Sequence, residues 1–233
     1  MPRRPRTAPG GFAYHVLNRS AGRINLFSRE KDFAAFENLL IEAHERHPIR
    51  ILAYVLMGTH WHVVVWPRDD GQVTAFIRWL THTHAMRWRT SHRTVGYGPL
   101  YQGRFKSFVI QRDEHLATVC RYVERNPLTA NLVRRAEEWR HGSLFARDRG
   151  DPKLQSILSE WPVDRPADWV ARVNRPLTAK EKEAMEMSIR RSRPFGDDRW
   201  VAKTVAQLHL EHTMRREGRP SRIKPATVQH VEN

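Results

Sequence analysis

Between residues 50 and 66 the chain reads RILAYVLM, then Gly58-Thr59, then HWHVVVW. Two runs rich in aliphatic and β-branched residues, divided by a short turn containing glycine, predict a β-hairpin. The second strand opens with two histidines one residue apart. Successive side chains of a strand point to opposite faces, so His60 and His62 share a face and Trp61 is turned away. Two imidazoles so placed can reach one ion. A lone strand histidine is ordinarily a satisfied polar residue, and the pair by itself names no reaction.

The flanking segments supply the rest of a sheet. Residues 12–18, FAYHVLN, alternate as a strand and lead into the glycine- and arginine-containing loop NRSAGRINLF. Residues 30–46 carry Phe33, Phe36, Leu39, Leu40 and Ala43 at helical spacing, with Ser28 as the predicted N-cap and Pro48 as the stop. Residues 73–88 form a second helix with Phe76, Ile77, Leu80 and His84 on one side. The loop TVGYGPLYQG precedes the strand-like RFKSFVI, and residues 114–125 make a third helix that Asn126-Pro127 is predicted to end. The first six elements have the order of a split βαβ unit. The expected fold class is α+β, a ferredoxin-like antiparallel sheet with helices on one face, plus a mainly helical C-terminal extension.

Domain organisation follows from texture. MPRRPRTAPGG, residues 1–11, reads as a basic flexible arm, and residues 12–145 as the main domain. From about 146 to 213 prolines and charges rise and apolar periodicity weakens, with charged helices expected over 178–191 and 198–211. Residues 214–233 read as a basic tail, disordered without its partner.

Forty Lys and Arg against 25 Asp and Glu give a formal charge of +15. Arginine predominates, and its planar fork matches phosphate, so a polyanion, above all nucleic acid, is the expected partner. The single cysteine, Cys120, rules out an internal disulfide and fits a reducing compartment. No apolar run approaches the roughly 20 residues of a membrane span, and the arm lacks the apolar segment of a secretory signal. A cytoplasmic location is expected, with nucleoid association when bound to DNA.

A second informative stretch is CRYVERNP, residues 120–127. Residues four apart on a helix share a face, so Tyr122 and Asn126 stand one above the other, beside a buried stripe of Leu116, Val119 and Val123. AYVLMGTHWHVVV resembles the strand-turn-strand of the HUH single-strand endonucleases. LYQGRFKSF and CRYVERNPLTANLV resemble the matching segments of REP-associated tyrosine transposases and their insertion-sequence relatives. The similarity covers residues 12–145, with three motifs in the same order. It implies that His60, His62 and Asn126 hold a metal and that Tyr122 is the nucleophile forming a 5′-phosphotyrosine link to DNA. Arg19, Arg23, Arg104, Lys106, Arg121 and Arg125 are the candidate DNA contacts. The implied partner is a single-stranded DNA hairpin, bound by a monomer or homodimer with no membrane involved. Gly58-Thr59 replaces the common Pro-Asn of the family, and Glu124-Arg125 replaces more neutral residues, without removing a catalytic group.

The chemistry is coherent on its own terms. A phenol with a pKa near 10 is a poor nucleophile at neutral pH, and a phosphodiester repels anions. A cation would polarise the phosphate and orient an in-line attack, and a covalent product keeps bond energy for rejoining. Mg2+ or Mn2+ fits the phosphate chemistry, although two imidazoles also suit zinc. Two alternatives stay open: a non-cleaving hairpin binder on the same fold, and a metal-dependent hydrolase that activates water. Other histidine pairs are weaker candidates. His82 and His84 diverge on a helix, while His44 with His47 and His209 with His212 lack a third ligand. Gly218-Arg219-Pro220 is a weak match to minor-groove AT-hooks.

Overall fold

The computed structural model describes residues 8–215. Strands β1 (Ala13–Arg19), β2 (Arg50–Met57), β3 (His60–Trp66) and β4 (Lys106–Ile110) form one four-stranded antiparallel sheet in the order β2-β3-β1-β4. Helix α1 (Glu30–Arg46) joins β1 to β2, and α2 (Gln72–Ser91) joins β3 to β4. This is the predicted split βαβ order, with the hairpin turning at Gly58-Thr59. The register sets Leu17 opposite His62 and Arg19 opposite His60.

Strand alternation divides the core. Tyr14, Val16, Tyr54, Leu56, Trp61, Val63 and Val65 cluster with Phe36, Leu40, Phe76, Ile77 and Leu80 of α1 and α2. Ala13, Val55, Met57, Val64, Phe108 and Ile110 cluster instead with Leu116, Val119, Cys120 and Val123 of α3 (Glu114–Thr129). Helices on one face therefore describes α1 and α2, while α3 covers the opposite face. The sheet is apolar on both sides, so both need a lid, and each large buried side chain contributes about 1.5–3 kcal/mol.

Two helix ends differ from expectation. Arg29, not Ser28, is the N-cap of α1, and the buried Asp32 carboxylate accepts from both Ser28 N and Arg29 N. Helix α3 does not stop at Asn126 but continues through Pro127 to Thr129. Proline removes one amide donor in the last turn, but Pro127 is buried and Ala130 N–H still reaches Asn126 O at 3.0 Å. Asn126 thus remains helical, one turn beyond Tyr122.

The extension comprises α4 (Ser143–Arg149), α5 (Pro152–Ser156), α6 (Trp169–Asn174), α7 (Ala179–Arg191) and α8 (Asp198–Leu208). The expected boundary after residue 145 falls inside α4. Trp161, Trp169, Val173, Met185 and Phe195 join the same apolar cluster as α3. Each short element commits one or two anchors to the core, a pattern too sparse to register as periodicity.

The arm is also more ordered than expected over its last residues. Ala8 is buried, Tyr14 OH donates to Pro9 O at 2.8 Å, and Gly11 N donates to Pro67 O at 2.9 Å. Gly10 passes so close that an added Cβ would lie 2.1 Å from the Arg68 carbonyl oxygen. The arginines of residues 1–7 and nearly all of the expected basic tail lie outside the described residues. Among the described residues no helix is long and apolar enough to cross a membrane.

Candidate active site

Strand β3 sends Trp61 into the α1/α2 core, where its Nε1 donates to Tyr101 OH at 3.1 Å. His60 and His62 consequently face α3, with ring centroids 5.0 Å apart. Helix α3 lays its apolar stripe on the same face, which carries Tyr122 to a centroid distance of 5.9 Å from His62, edge on. Tyr122 is half-buried, and its side chain hydrogen-bonds to that of Asn126 one turn later. The fold therefore brings His60, His62 and the Tyr122/Asn126 pair to one place within one chain.

A fifth residue joins them that sequence reasoning did not single out. His15 of β1 is fully buried, and its Nε2 lies 2.8 Å from His62 Nδ1. Its ring centroid lies 5.0 Å from that of His62, with the planes within 25° of each other as an edge-to-edge hydrogen bond requires, and 6.3 Å from that of Tyr122. The histidine in FAYHVLN becomes informative only once β1 is known to be the neighbour of β3. His60 Nδ1 in turn lies 3.3 Å from Thr59 Oγ1. Both Nδ1 atoms thus have a neighbour, while His62 Nε2 is buried with no hydrogen-bond partner.

Burial sets the protonation of these groups. It lowers His15 to about 3, and burial with the nearby Arg19 charge lowers His60 to about 4. His62 is pushed well below the usual value, first by burial and then by His15, His60 and Arg19. All three imidazoles are neutral at pH 7 and have lone pairs to offer. Burial raises the Tyr122 phenol, against the opposing Asn126 hydrogen bond, so it is protonated at neutral pH.

Two neutral imidazoles, an orphaned buried nitrogen and an adjacent amide fit a divalent cation. Among the described residues, the trio of acidic and histidine groups close enough to hold an ion is Asp113, Glu114 and His115. Its geometry has a structural explanation, since Asp113 caps α3 by accepting from His115 N and sits 2.7 Å from its ring Nδ1. His84 is buried 2.6 Å from Tyr101 OH, and His82 is exposed, so this pair does diverge.

The candidate DNA contacts separate into two groups. Arg19, Arg104 and Lys106 line a cleft of about 270 Å3 with Asn18, Gln102 and Ile189, beside the His60 end of the sheet, and Arg23 is exposed on the adjoining turn. Arg121 and Arg125 are instead engaged by the extension. Arg121 pairs with Glu181 of α7 at 2.5 Å, and Arg125 donates to Val173 O at 3.0 Å and Asn174 O at 2.6 Å. Their flank of α3 is covered by helices, and Arg125 satisfies carbonyls at the C-terminal end of α6.

The family model described as transposase IS200 like matches residues 10–126, a span that includes His15, His60, His62, Tyr122 and Asn126. No curated protein matches the chain closely enough to count as a relative. Among solved structures, a REP-associated tyrosine transposase bound to a REP hairpin is 20% identical, with 72% of this chain and 95% of that chain covered and a TM-score of 0.48. A chain described as a transposase from Deinococcus radiodurans R1 is 16% identical, with 52% of this chain and 95% of that one covered and a TM-score of 0.38.

Proposed function

The chain belongs to the IS200-like transposase family, and on that premise we propose that it cleaves and rejoins single-stranded DNA beside hairpins through Tyr122. The observation that carries this reading is the 5.9 Å approach of Tyr122 to His62 on the α3 face of the sheet, with His60 alongside. The tyrosine stands beside histidines of its own chain, which supports a monomer as the unit of catalysis.

Tyr122 Oη attacks the phosphorus of a bound phosphodiester. A tyrosine–phosphate bond forms as the bond to the 3′-oxygen breaks, and the phenol proton ends on the released 3′-hydroxyl. The product retains a phosphodiester on the 5′ side, so a 3′-hydroxyl can reverse the step and join a new strand. His60, His62 and Asn126 would hold Mg2+ or Mn2+, which supplies charge to polarise the phosphate. The orphaned His62 Nε2 supports that role. Arg19, Arg104 and Lys106 bind the DNA backbone and set its register, an electrostatic task that leaves sequence choice to other contacts. Over its described residues, 146–215, the C-terminal segment is an accessory unit that braces the tyrosine helix.

The test is incubation with labelled single-stranded hairpin oligonucleotides taken from beside the coding region, with Mn2+ and with chelator. A metal-dependent protein–DNA adduct that disappears in Tyr122→Phe is expected. Hairpin binding with no adduct would replace this reading with that of a binder, and free cleaved ends that survive Tyr122→Phe would replace it with that of a hydrolase.

A further inference from the structure

We propose that His15 is a positioning residue: its Nε2 accepts the Nδ1 proton of His62, fixing the tautomer in which His62 Nε2 offers a lone pair to a divalent cation. The inference rests on the reading of His60 and His62 as metal ligands and assigns a role to a residue outside that set.

Two imidazole nitrogens 2.8 Å apart share a single proton when both rings are neutral. Both rings are buried, and among the described residues their outer nitrogens have no partner and no carboxylate that could compensate a charge. If the shared proton resides on His62, then His62 Nε2 carries a free lone pair. If it resides on His15, then His62 Nε2 carries a hydrogen and cannot ligate. The two outer nitrogens, His15 Nδ1 and His62 Nε2, are both buried and both lack a hydrogen-bond partner. Either tautomer therefore leaves one buried N–H unsatisfied, and the protein alone has little preference between them. A cation at His62 Nε2 breaks that balance in favour of the first.

Packing confines His15 to this supporting position. Its ring is held between His62 at 5.0 Å and Phe108 at 4.8 Å, and β1 pairs with β3 on one side and β4 on the other. The ring cannot swing away without disturbing the central strand. Metal-bound histidines are commonly oriented by an acceptor on the second ring nitrogen, usually a carboxylate or a carbonyl. Here a neutral imidazole fills that place, so the acceptor adds no charge to the buried face.

The test measures Mn2+ affinity without DNA, by electron paramagnetic resonance, for the wild type, His60→Ala, His15→Phe and His15→Gln. Phenylalanine keeps the ring and its tilted contact with Phe108 but has no acceptor; the glutamine amide oxygen restores one. The expected result is an affinity loss of roughly 10–100-fold in His15→Phe, the range for losing an outer partner of a ligand, with recovery in His15→Gln. Equal affinity in wild type and His15→Phe would overturn the proposal, as would equal losses in the two variants, which would assign the effect to packing. No Mn2+ binding by wild type, or undiminished binding by His60→Ala, would overturn the underlying metal-site reading instead. A measurement free of variants is the imidazole 15N spectrum of the wild type with Zn2+. A proton on His62 Nδ1 is expected, and a proton on His15 Nε2 would overturn the assignment.

Discussion

Trp169 Nε1 donates a hydrogen bond to Glu124 Oε2 at 2.6 Å, so a residue of the C-terminal extension grips the tyrosine helix two positions beyond Tyr122. The other carboxylate oxygen accepts from Ser143 Oγ at 2.5 Å, and Ser143 Oγ accepts from Tyr54 N of the sheet at 3.0 Å. Strand β2, α4, α3 and α6 are thereby linked by polar bonds through a carboxylate that is only 3% exposed. Burial raises the Glu124 carboxyl, while Ser143, Trp169 and the charges of Arg165 and Arg147 oppose that rise.

Trp169→Phe retains an aromatic ring but removes the donor, leaving a buried carboxylate with one partner fewer. It is expected to destabilise the protein by about 1–3 kcal/mol. Urea unfolding measures this, and an unchanged midpoint would show that the bond contributes nothing to the bracing of α3.

Stability should fall on mild acidification. Unfolded histidines protonate near pH 6.5, whereas the folded values are about 3 for His15 and His84 and about 4 for His60. Above pH 6.5 both states are neutral and pH has no leverage. Below it the unfolded chain takes up protons that the fold refuses, at a cost of about 1.4 kcal/mol per pH unit for each such histidine. Between pH 6.5 and 5 most carboxylates are still ionised; the buried Glu124 carboxyl, which burial raises, works in the opposite direction, and the three histidines outnumber it. The urea midpoint should drop steadily across it, and His84→Gln should reduce the slope. A midpoint that holds constant down to pH 5 would contradict the buried neutral histidines.

The sheet and the pairing of Tyr122 with Asn126 were legible because they depend on short-range periodicity: two residues for His60 and His62, four for the tyrosine and amide. Three features were not legible, for reasons of distance along the chain. His15 lies 47 residues from the histidine it contacts. The anchoring of the extension relies on isolated residues such as Trp169 and Met185, each without a periodic neighbour to announce it. Arg121 and Arg125 look like any basic pair on a DNA-binding chain, and only the fold of α6 and α7 over them shows that both are bonded within the protein.

That division of the arginines predicts different salt dependences. Lys106 lines the cleft beside β1, so Lys106→Ala should weaken hairpin binding and reduce the slope of log affinity against log salt by about 1. Arg125→Ala should leave the slope unchanged but lower stability, because Val173 O and Asn174 O lose their charged donor. Fluorescence anisotropy over a salt series, with thermal unfolding alongside, separates the two. A reduced slope for Arg125→Ala would restore it to the DNA surface.

Asn126 interacts with the phenol proposed as the nucleophile, so its removal tests how the site manages the Tyr122 proton. The hydrogen bond between the two side chains lowers a phenol pKa that burial has raised. Without it, the tyrosine is harder to ionise and less firmly aimed, and the proposed cation loses a ligand. Asn126→Ala should therefore shift Tyr122 ionisation to higher pH, read as the tyrosinate absorbance that is missing in Tyr122→Phe. Adduct formation should slow by roughly 100-fold, the scale expected when a reacting group is misplaced by about 1 Å. The two readouts separate the contributions. A pH shift whose rate loss is recovered at higher pH assigns Asn126 to the proton, whereas a rate loss that persists at every pH and is relieved by excess Mn2+ assigns it to the metal. Wild-type rates and an unshifted tyrosine in Asn126→Ala would remove the residue from the site altogether.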